Sequence, residues 1–188
     1  MDQPTLMTPR LVLRPFTAAD AAATQHMAGD SRIASTTLNV PHPYLDGMAE
    51  AWIATHPAAW AEGSRVTFAI TSHEGELQGA ISLHLHPEHS RGELGYWIGQ
   101  PYWSQGLATE AAAAVLDFAF GTLQLNRVQA SHLSRNPASG RVLEKLGMQR
   151  EGLHRERYRK GDHFEDVIEY AILRRDWLAR QASSLTNR

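Results

Sequence analysis

The stretch from Leu94 to Phe120 reads LGYWIGQPYWSQGLATEAAAAVLDFAF, and it decides how the rest of the chain can fold. It begins as an apolar, aromatic strand, passes through a turn that contains Gly106, and continues as an alanine-rich helix. Such a turn directs several backbone N–H groups toward one point at the start of the helix, where the helix dipole also favours negative charge. The stretch therefore predicts an anion site, and a phosphate group is the expected ligand.

Composition narrows the class of protein. A chain of 188 residues, 43% hydrophobic and 20% charged, is typical of one globular domain, here spanning residues 1–188. The net charge of -2 argues against nucleic acid as a partner. The absence of cysteine excludes disulfides, thiolate metal sites and a cysteine nucleophile. The N-terminus lacks the apolar core of a signal peptide, and no apolar run approaches ~20 residues, so we expect a cytoplasmic protein without a membrane partner.

Apolar periodicity predicts the elements around this stretch. The expected strands cover residues 10–16, 66–72, 76–86, 92–99, 126–133, 149–159 and 163–173. Helices are expected from about residue 18, where Thr17 is the cap, and over residues 46–62, 104–120 and 137–146. The polar tail after Trp177 is expected to fray.

Four segments occur in a fixed order and together identify a resemblance. They are Glu93–Ile98, Tyr102–Ala111, Asn136–Met148, and a closing pair of Gly161-Asp162 and Asp166-Val167. This set resembles the GNAT N-acetyltransferases, and within them the RimJ/RimL type that acetylates protein N-termini, from about residue 10 to residue 177. The resemblance implies an α/β (α+β) fold. Its sheet is mixed and mostly antiparallel, with six or seven strands, flanking helices and two central parallel strands that splay apart.

The same resemblance names the ligand of the turn as the diphosphate of acetyl-CoA, the cosubstrate. Gly106 suits this role because it has no Cβ to block close backbone approach. The residues that inherit diphosphate binding, mainly through their main chain, are Ser104, Gln105, Gly106, Leu107, Ala108 and Thr109. Asn136 is expected to cap the next helix and to contact coenzyme A. Trp103 stands where most of the family has Gln or Arg, so that position supplies no cation; Trp there is familiar in the RimJ/RimL type.

The strand before the turn is the expected thioester platform. In the family the pantetheine arm pairs with its exposed backbone as an added strand would. The thioester carbonyl is then expected near the main-chain N–H of Ile98 or Gly99, which would stabilise an oxyanion. Tyr96 and Trp97 point to opposite faces of the strand. One is expected in the core and the other in the acceptor channel, and the sequence leaves open which is which.

The resemblance indicates the catalytic acid and the catalytic base of the acetyl transfer less directly. Many family members have a Tyr acid in the helix after Asn136, but here that position is Leu143, so the resemblance makes Ser139 the group that meets the leaving thiolate. A serine is a poor acid, and orienting water or hydrogen-bonding the sulfur suits it better. The candidate bases are Glu93, Glu156, His84 and His86. For each of these, an ordinary surface role is the alternative.

The remaining expectations concern metal, acceptor and assembly. His84 and His86 lie on one side of a predicted strand, and His89 follows them. The sequence fixes no third metal ligand beside the first two, so no metal is expected. The region from Asn39 to Glu62 is expected to roof the acceptor site, or to place its aromatic residues in the core. The expected acceptor is the α-amino group of a protein N-terminus. The alternatives are a small amine, or an acyl-CoA-binding module without turnover. The protein is expected to be a monomer or a homodimer.

Overall fold

The computed structural model describes residues 2–186, with side chains up to residue 183. The strands are β1 (Leu6–Met7), β2 (Leu11–Pro15), β3 (Arg65–Ser72), β4 (Leu77–His86), β5 (Arg91–Ile98), β6 (Arg127–Leu133), β7 (Gln149–Lys160) and β8 (His163–Leu173). The helices are α1 (Ala21–Ala28), α2 (Ser31–Thr36), α3 (Met48–Ala54), α4 (His56–Ala61), α5 (Leu107–Asp117), α6 (Pro137–Lys145) and α7 (Arg174–Thr186).

The strands form one mixed sheet in the order β1-β2-β3-β4-β5-β6-β8-β7. Among the described strands, β5 and β6 are the one parallel pair. The mixed, mostly antiparallel sheet with flanking helices is thus confirmed. It has eight strands instead of six or seven, because the two-residue β1 pairs with β2 at the edge. That all of residues 1–188 form a single domain stays a prediction, which this continuous sheet supports.

Helix α5 packs its small and aliphatic side chains against the centre of the sheet. Leu107, Ala111 and Val115 recur at helical spacing and are buried, as expected for the inner face of an amphipathic helix. They share the main hydrophobic cluster with Phe68 and Leu94 of the sheet. The alanines let the helix lie close to the strands, and this proximity fixes the start of α5 beside the end of β5.

Three regions differ from their prediction. Helix α5 begins at Leu107, later than expected, because Ser104 and Gly106 have left-handed φ values of 62° and 79°. Residues 46–62 form two short helices, α3 and α4. The expected fraying after Trp177 is wrong: α7 continues to Thr186, because the buried Trp177 anchors it through an indole N–H that donates to Asp117 Oδ1 at 2.8 Å.

None of the described helices is long and apolar enough to cross a membrane.

A small aromatic cluster joins Phe16, which directly follows β2, to α3 and α4. The ring of His56 lies edge-on to Trp52 at 4.5 Å and to Phe16 at 5.3 Å between centroids. Both ring nitrogens of His56 are buried and accept or donate no hydrogen bond. Burial, with a further contribution from the nearby Arg65, lowers the pKa of His56 to about 4. The folded state is therefore more stable when the imidazole ring of His56 is uncharged.

We expect this histidine to make the protein acid-sensitive. Its pKa is lower in the folded than in the unfolded chain, so the unfolded state binds more protons between those values, and stability is lost as pH falls. The free energy of unfolding should decrease by about 2 kcal/mol between pH 7.5 and pH 5 from this group alone. His56→Phe keeps the ring contacts and should remove that part of the decrease in urea unfolding curves. An unchanged pH dependence in the variant would contradict the assignment.

Candidate active site

The parallel strands β5 and β6 separate halfway along their length. Their pairing runs from Arg91↔Arg127 to Leu94↔Ala130 and ends there. Beyond Leu94, β5 stays bonded to β4, while β6 stays bonded to β8 down to Leu133. The sheet is therefore open between residues 95–98 and 131–133, as the family resemblance predicts.

A cavity of about 1040 Å³ lies at this opening and is lined from both faces of the sheet. On the side of α5 its lining includes Ser104, Gly106, Leu107, Ala108 and Thr109. At the opening it includes Tyr96, Ile98, Leu133, Asn136 and Ser139. On the far side it includes Tyr44, Met48, Trp52, Arg65, His84 and Glu93. One continuous space thus connects the predicted phosphate turn with the predicted acceptor side.

The turn before α5 has the backbone geometry of an anion site. Left-handed residues at positions 104 and 106 alternate with residues of ordinary φ, an arrangement that turns successive N–H groups toward one concavity. Arg10 anchors the turn from outside the cavity: its Nη1 donates to Gln105 O at 2.9 Å and its Nε to Glu110 Oε2 at 2.6 Å. The turn is therefore held in place before any ligand arrives.

Gln105 is the one predicted turn residue that does not line the cavity; its side chain donates to Pro101 O at 3.2 Å instead. Sequence reasoning missed two cations, Arg141 and Lys145 of α6, which line the same cavity. Their spacing of four residues on one helix face was the available signal. Positive side chains that line the same cavity as the turn complement a polyphosphate.

The backbone of β5 offers two amides to the opening. Gly99 N–H is already used, since it donates to Gln78 O at 2.8 Å. Successive residues of a strand direct their amides to opposite neighbours, so Tyr96 and Ile98 present theirs to the open side. Of the two predicted thioester contacts, the geometry therefore favours Ile98 and not Gly99. The indole N–H of Trp103 donates to Ile98 O at 2.6 Å and holds this end of the strand against the turn.

Two hydroxyl groups meet across the opening. Tyr96 Oη lies 2.9 Å from Ser139 Oγ. Burial raises the pKa of Tyr96 to about 12, although the hydrogen bond with Ser139 acts in the opposite direction. Asn136 caps α6 as predicted, because its Oδ1 accepts from Ser139 N–H at 3.3 Å. Its Nδ2 also donates to Thr36 O, and this bond joins α6 to the end of α2.

Tyr96 and Trp97 do point to opposite faces. Tyr96 faces α6, whereas Trp97 packs with Met27 and Ala69 on the other face. Both also line the cavity, so the predicted division into one core and one channel residue is too simple.

The far side of the cavity has a charged row across the sheet. Arg65 of β3 is paired with His84 of β4, and His84 is paired with Glu93 of β5, so the three side chains share one face. Glu93 Oε2 accepts from Gln129 Nε2 at 3.3 Å. Burial and Arg65 lower the pKa of His84, while Glu93 acts in the opposite direction.

Helix α3 contributes to the lining of the same cavity. Met48 and Trp52 of this helix line the cavity, which agrees with the prediction that this region roofs the acceptor site. Trp60, in contrast, packs against the main core, so the aromatic residues of this region are divided between the two predicted roles.

Other candidates lie away from the cavity. Glu156 is exposed at an irregularity of β7 with φ 50°, and its N–H donates to Asp166 Oδ1 at 2.7 Å. Nδ1 of His86 and Nε2 of His89 each lie 3.8 Å from Oε1 of Glu88. Neither histidine lines the cavity. Across residues 2–186, no group of three or more His, Asp or Glu side chains is arranged to hold a metal ion.

The sequence matches known proteins over nearly its whole length. The family profile of the acetyltransferase (GNAT) domain matches residues 10–149. The uncharacterized N-acetyltransferase p20 of Bacillus licheniformis is 30% identical over 176 residues, covering 92% of this chain and 98% of that protein. The ribosomal protein uS5-alanine N-acetyltransferase of Escherichia coli is 31% identical over 84 residues, which cover 45% of this chain and 43% of that enzyme.

Solved structures share the fold. RimL, the ribosomal L7/L12 alpha-N-protein acetyltransferase, solved with coenzyme A, superposes with a TM-score of 0.84 at 16% identity over 90% of this chain and 98% of that one. RimJ of Mycobacterium smegmatis, solved with CoA-disulfide, superposes with a TM-score of 0.81 at 24% identity over 92% of this chain and 87% of that one. The chain belongs to the GNAT acetyltransferases and resembles their RimJ/RimL type.

Proposed function

We propose that this protein transfers an acetyl group from acetyl-CoA to the α-amino group of a protein N-terminus. The observation that supports this most is the cavity at the β5–β6 opening, because it joins an anion-binding turn on one face to a carboxylate on the other. The likeness to the uS5-alanine enzyme favours a ribosomal type of acceptor.

The residues present fit acetyl-CoA on physical grounds. Its diphosphate would lie at the N–H groups of Gly106 to Thr109, with Arg141 and Lys145 adding positive charge. The arm would lie along the unpaired edge of β5, where the amides of Tyr96 and Ile98 face the opening. When bound, acetyl-CoA supplies the acetyl group as an activated thioester.

Residues around the opening would act on the reacting atoms in three ways. Glu93 removes the proton of the attacking ammonium, directly or through one water. The N–H of Ile98 or of Tyr96 donates to the thioester oxygen as negative charge develops. Ser139 Oγ, held by Tyr96 Oη, donates a hydrogen bond to the departing sulfur. We expect direct attack of the amine, because no activated nucleophile is found among the described residues that line the cavity.

Thiol release tests the proposal against its alternatives. Acetyl-CoA is incubated with peptides that have free N-termini, with the same peptides blocked at the N-terminus, and with polyamines and aminoglycosides. Thiol release with the free peptides and not with the blocked ones is expected. Thiol release with polyamines or aminoglycosides alone would show that the acceptor is a small amine and not a protein N-terminus. Coenzyme A binding without thiol release from any amine would favour the non-catalytic binding module.

Removing the Tyr96 hydroxyl should slow catalysis without loosening binding. Tyr96→Phe leaves Ser139 Oγ without its partner across the opening, and we expect kcat to fall about 10-fold, the cost of one hydrogen bond. Because the pKa of Tyr96 is about 12, the wild-type pH–rate profile should show no step from it below pH 10. Tyr170→Phe is the matched control, since that hydroxyl donates to Glu144 outside the cavity. Equal effects of the two variants would contradict the role of Tyr96.

A further inference from the structure

Arg65 is a cation of the acceptor side that no carboxylate neutralises. Its Nη2 donates to Thr55 Oγ1 at 3.0 Å, and its Nε is buried without a hydrogen-bond partner. None of the ion pairs found among the described residues includes Arg65. A partly buried guanidinium without a counter-charge is costly, and it favours an anion that can accept its fork of N–H groups.

The cross-strand register places this cation at a defined distance from the proposed base. Arg65, His84 and Glu93 occupy neighbouring strands in one row. Adjacent strands lie about 4.8 Å apart, so the Cα atoms of Arg65 and Glu93 are roughly 10 Å apart. The two side chains extend over the same floor. A molecule with an amine near Glu93 can therefore place a carboxylate, a few bonds away, against Arg65.

Part of the acceptor side is apolar, next to the polar side chains of Thr36, Thr37 and Asn39. Val40, Tyr44, Met48 and Trp52 line it opposite the charged row. Glu93 is the one carboxylate among the described residues that line the cavity. A polycationic acceptor would need several anions to replace its hydration, and this lining offers one. The lining suits an apolar group instead.

We propose that Arg65 forms a carboxylate subsite, so that the acceptor is an amine with a carboxylate a few bonds from its nitrogen and an apolar group beside it. This inference rests on the proposed acetyl transfer and specifies the chemistry of its acceptor; a free amino acid would replace the protein N-terminus in that role. The carboxylate has two sources: the α-carboxylate of a free apolar amino acid, or the side chain of an acidic residue that follows an apolar first residue in a peptide.

The subsite is tested with pairs of acceptors in which one member has a carboxylate and the other has an amide in its place. The free amino acid pair is phenylalanine and phenylalaninamide; the peptide pair is Phe-Glu-amide and Phe-Gln-amide. For at least one pair, kcat/KM should favour the carboxylate member by about 10- to 100-fold, and the preferred pair identifies the source. Arg65→Gln should remove that preference mainly through KM, and Arg65→Lys should restore part of it. Arg32→Gln is the control, since Arg32 pairs with Asp30 and does not line the cavity.

A binding measurement separates the subsite from turnover. With coenzyme A present, 3-phenylpropionate should bind more tightly than 3-phenylpropanamide in calorimetry, and Arg65→Gln should abolish the difference. Melting curves establish that the variant is folded. Thiol release without any preference for carboxylate in the wild type refutes the subsite and leaves the acetyl transfer standing. Absence of thiol release with every amine refutes the acetyl transfer itself.

Discussion

Gly106→Asp is expected to weaken acetyl-CoA binding by at least about 100-fold while the protein stays folded. Gly106 has a φ of 79° at the start of α5, and it is exposed. An added Cβ would meet Arg10 Nη2 at 3.6 Å, which is ordinary contact. The carboxylate would add a negative charge at the turn and repel a diphosphate bound there. Calorimetric titration with acetyl-CoA measures the loss.

Gly75→Asp provides the matched control. Gly75 is also exposed and left-handed, with a φ of 91°, but it lies in the β3–β4 turn and outside the cavity. Both variants have the same strain of a non-glycine residue in the left-handed region, of order 1–2 kcal/mol. A folded Gly106→Asp protein with unchanged affinity for acetyl-CoA would show that the diphosphate binds elsewhere.

Glu93→Gln is expected to lower kcat by about 100-fold or more, the usual contribution of a general base. The change keeps the size of the side chain and its contact with Gln129, so acetyl-CoA affinity should remain within a factor of about 2. Stopped-flow thiol release with saturating acetyl-CoA gives kcat. A variant that retains most of its activity would exclude Glu93 as the base.

Glu156→Gln serves as the opposing variant, because the sequence makes Glu156 a base candidate as well. Its side chain is exposed and does not line the cavity, so we expect less than a twofold change in kcat. If Glu156→Gln removed activity and Glu93→Gln did not, the side chain of Glu156 would have to turn into the cavity, which Tyr158 and Val167 of the same hairpin already line.

Trp103 illustrates what local sequence can and cannot establish. Its position before the turn pointed to the RimJ/RimL type. Its function in the fold, a hydrogen bond from the indole to Ile98 O, depends on how the strand end meets the turn. In the same way, the spacing of Glu93 and Ser139 in the chain says nothing about which hydroxyl lies next to Ser139. That partner, Tyr96, comes from another element across the opening.

The sequence by itself determined the strand, turn and helix around Gly106, the capping of α6 by Asn136, and the mixed sheet, because these depend on local conformational preference and on periodic burial. Only the tertiary structure decided that Gly99 N–H is used by the sheet, that Glu156 lies outside the cavity, and that Arg65, His84 and Glu93 form one row. Strand order and register join residues that are far apart in the chain, and side-chain proximity across strands follows from that pairing.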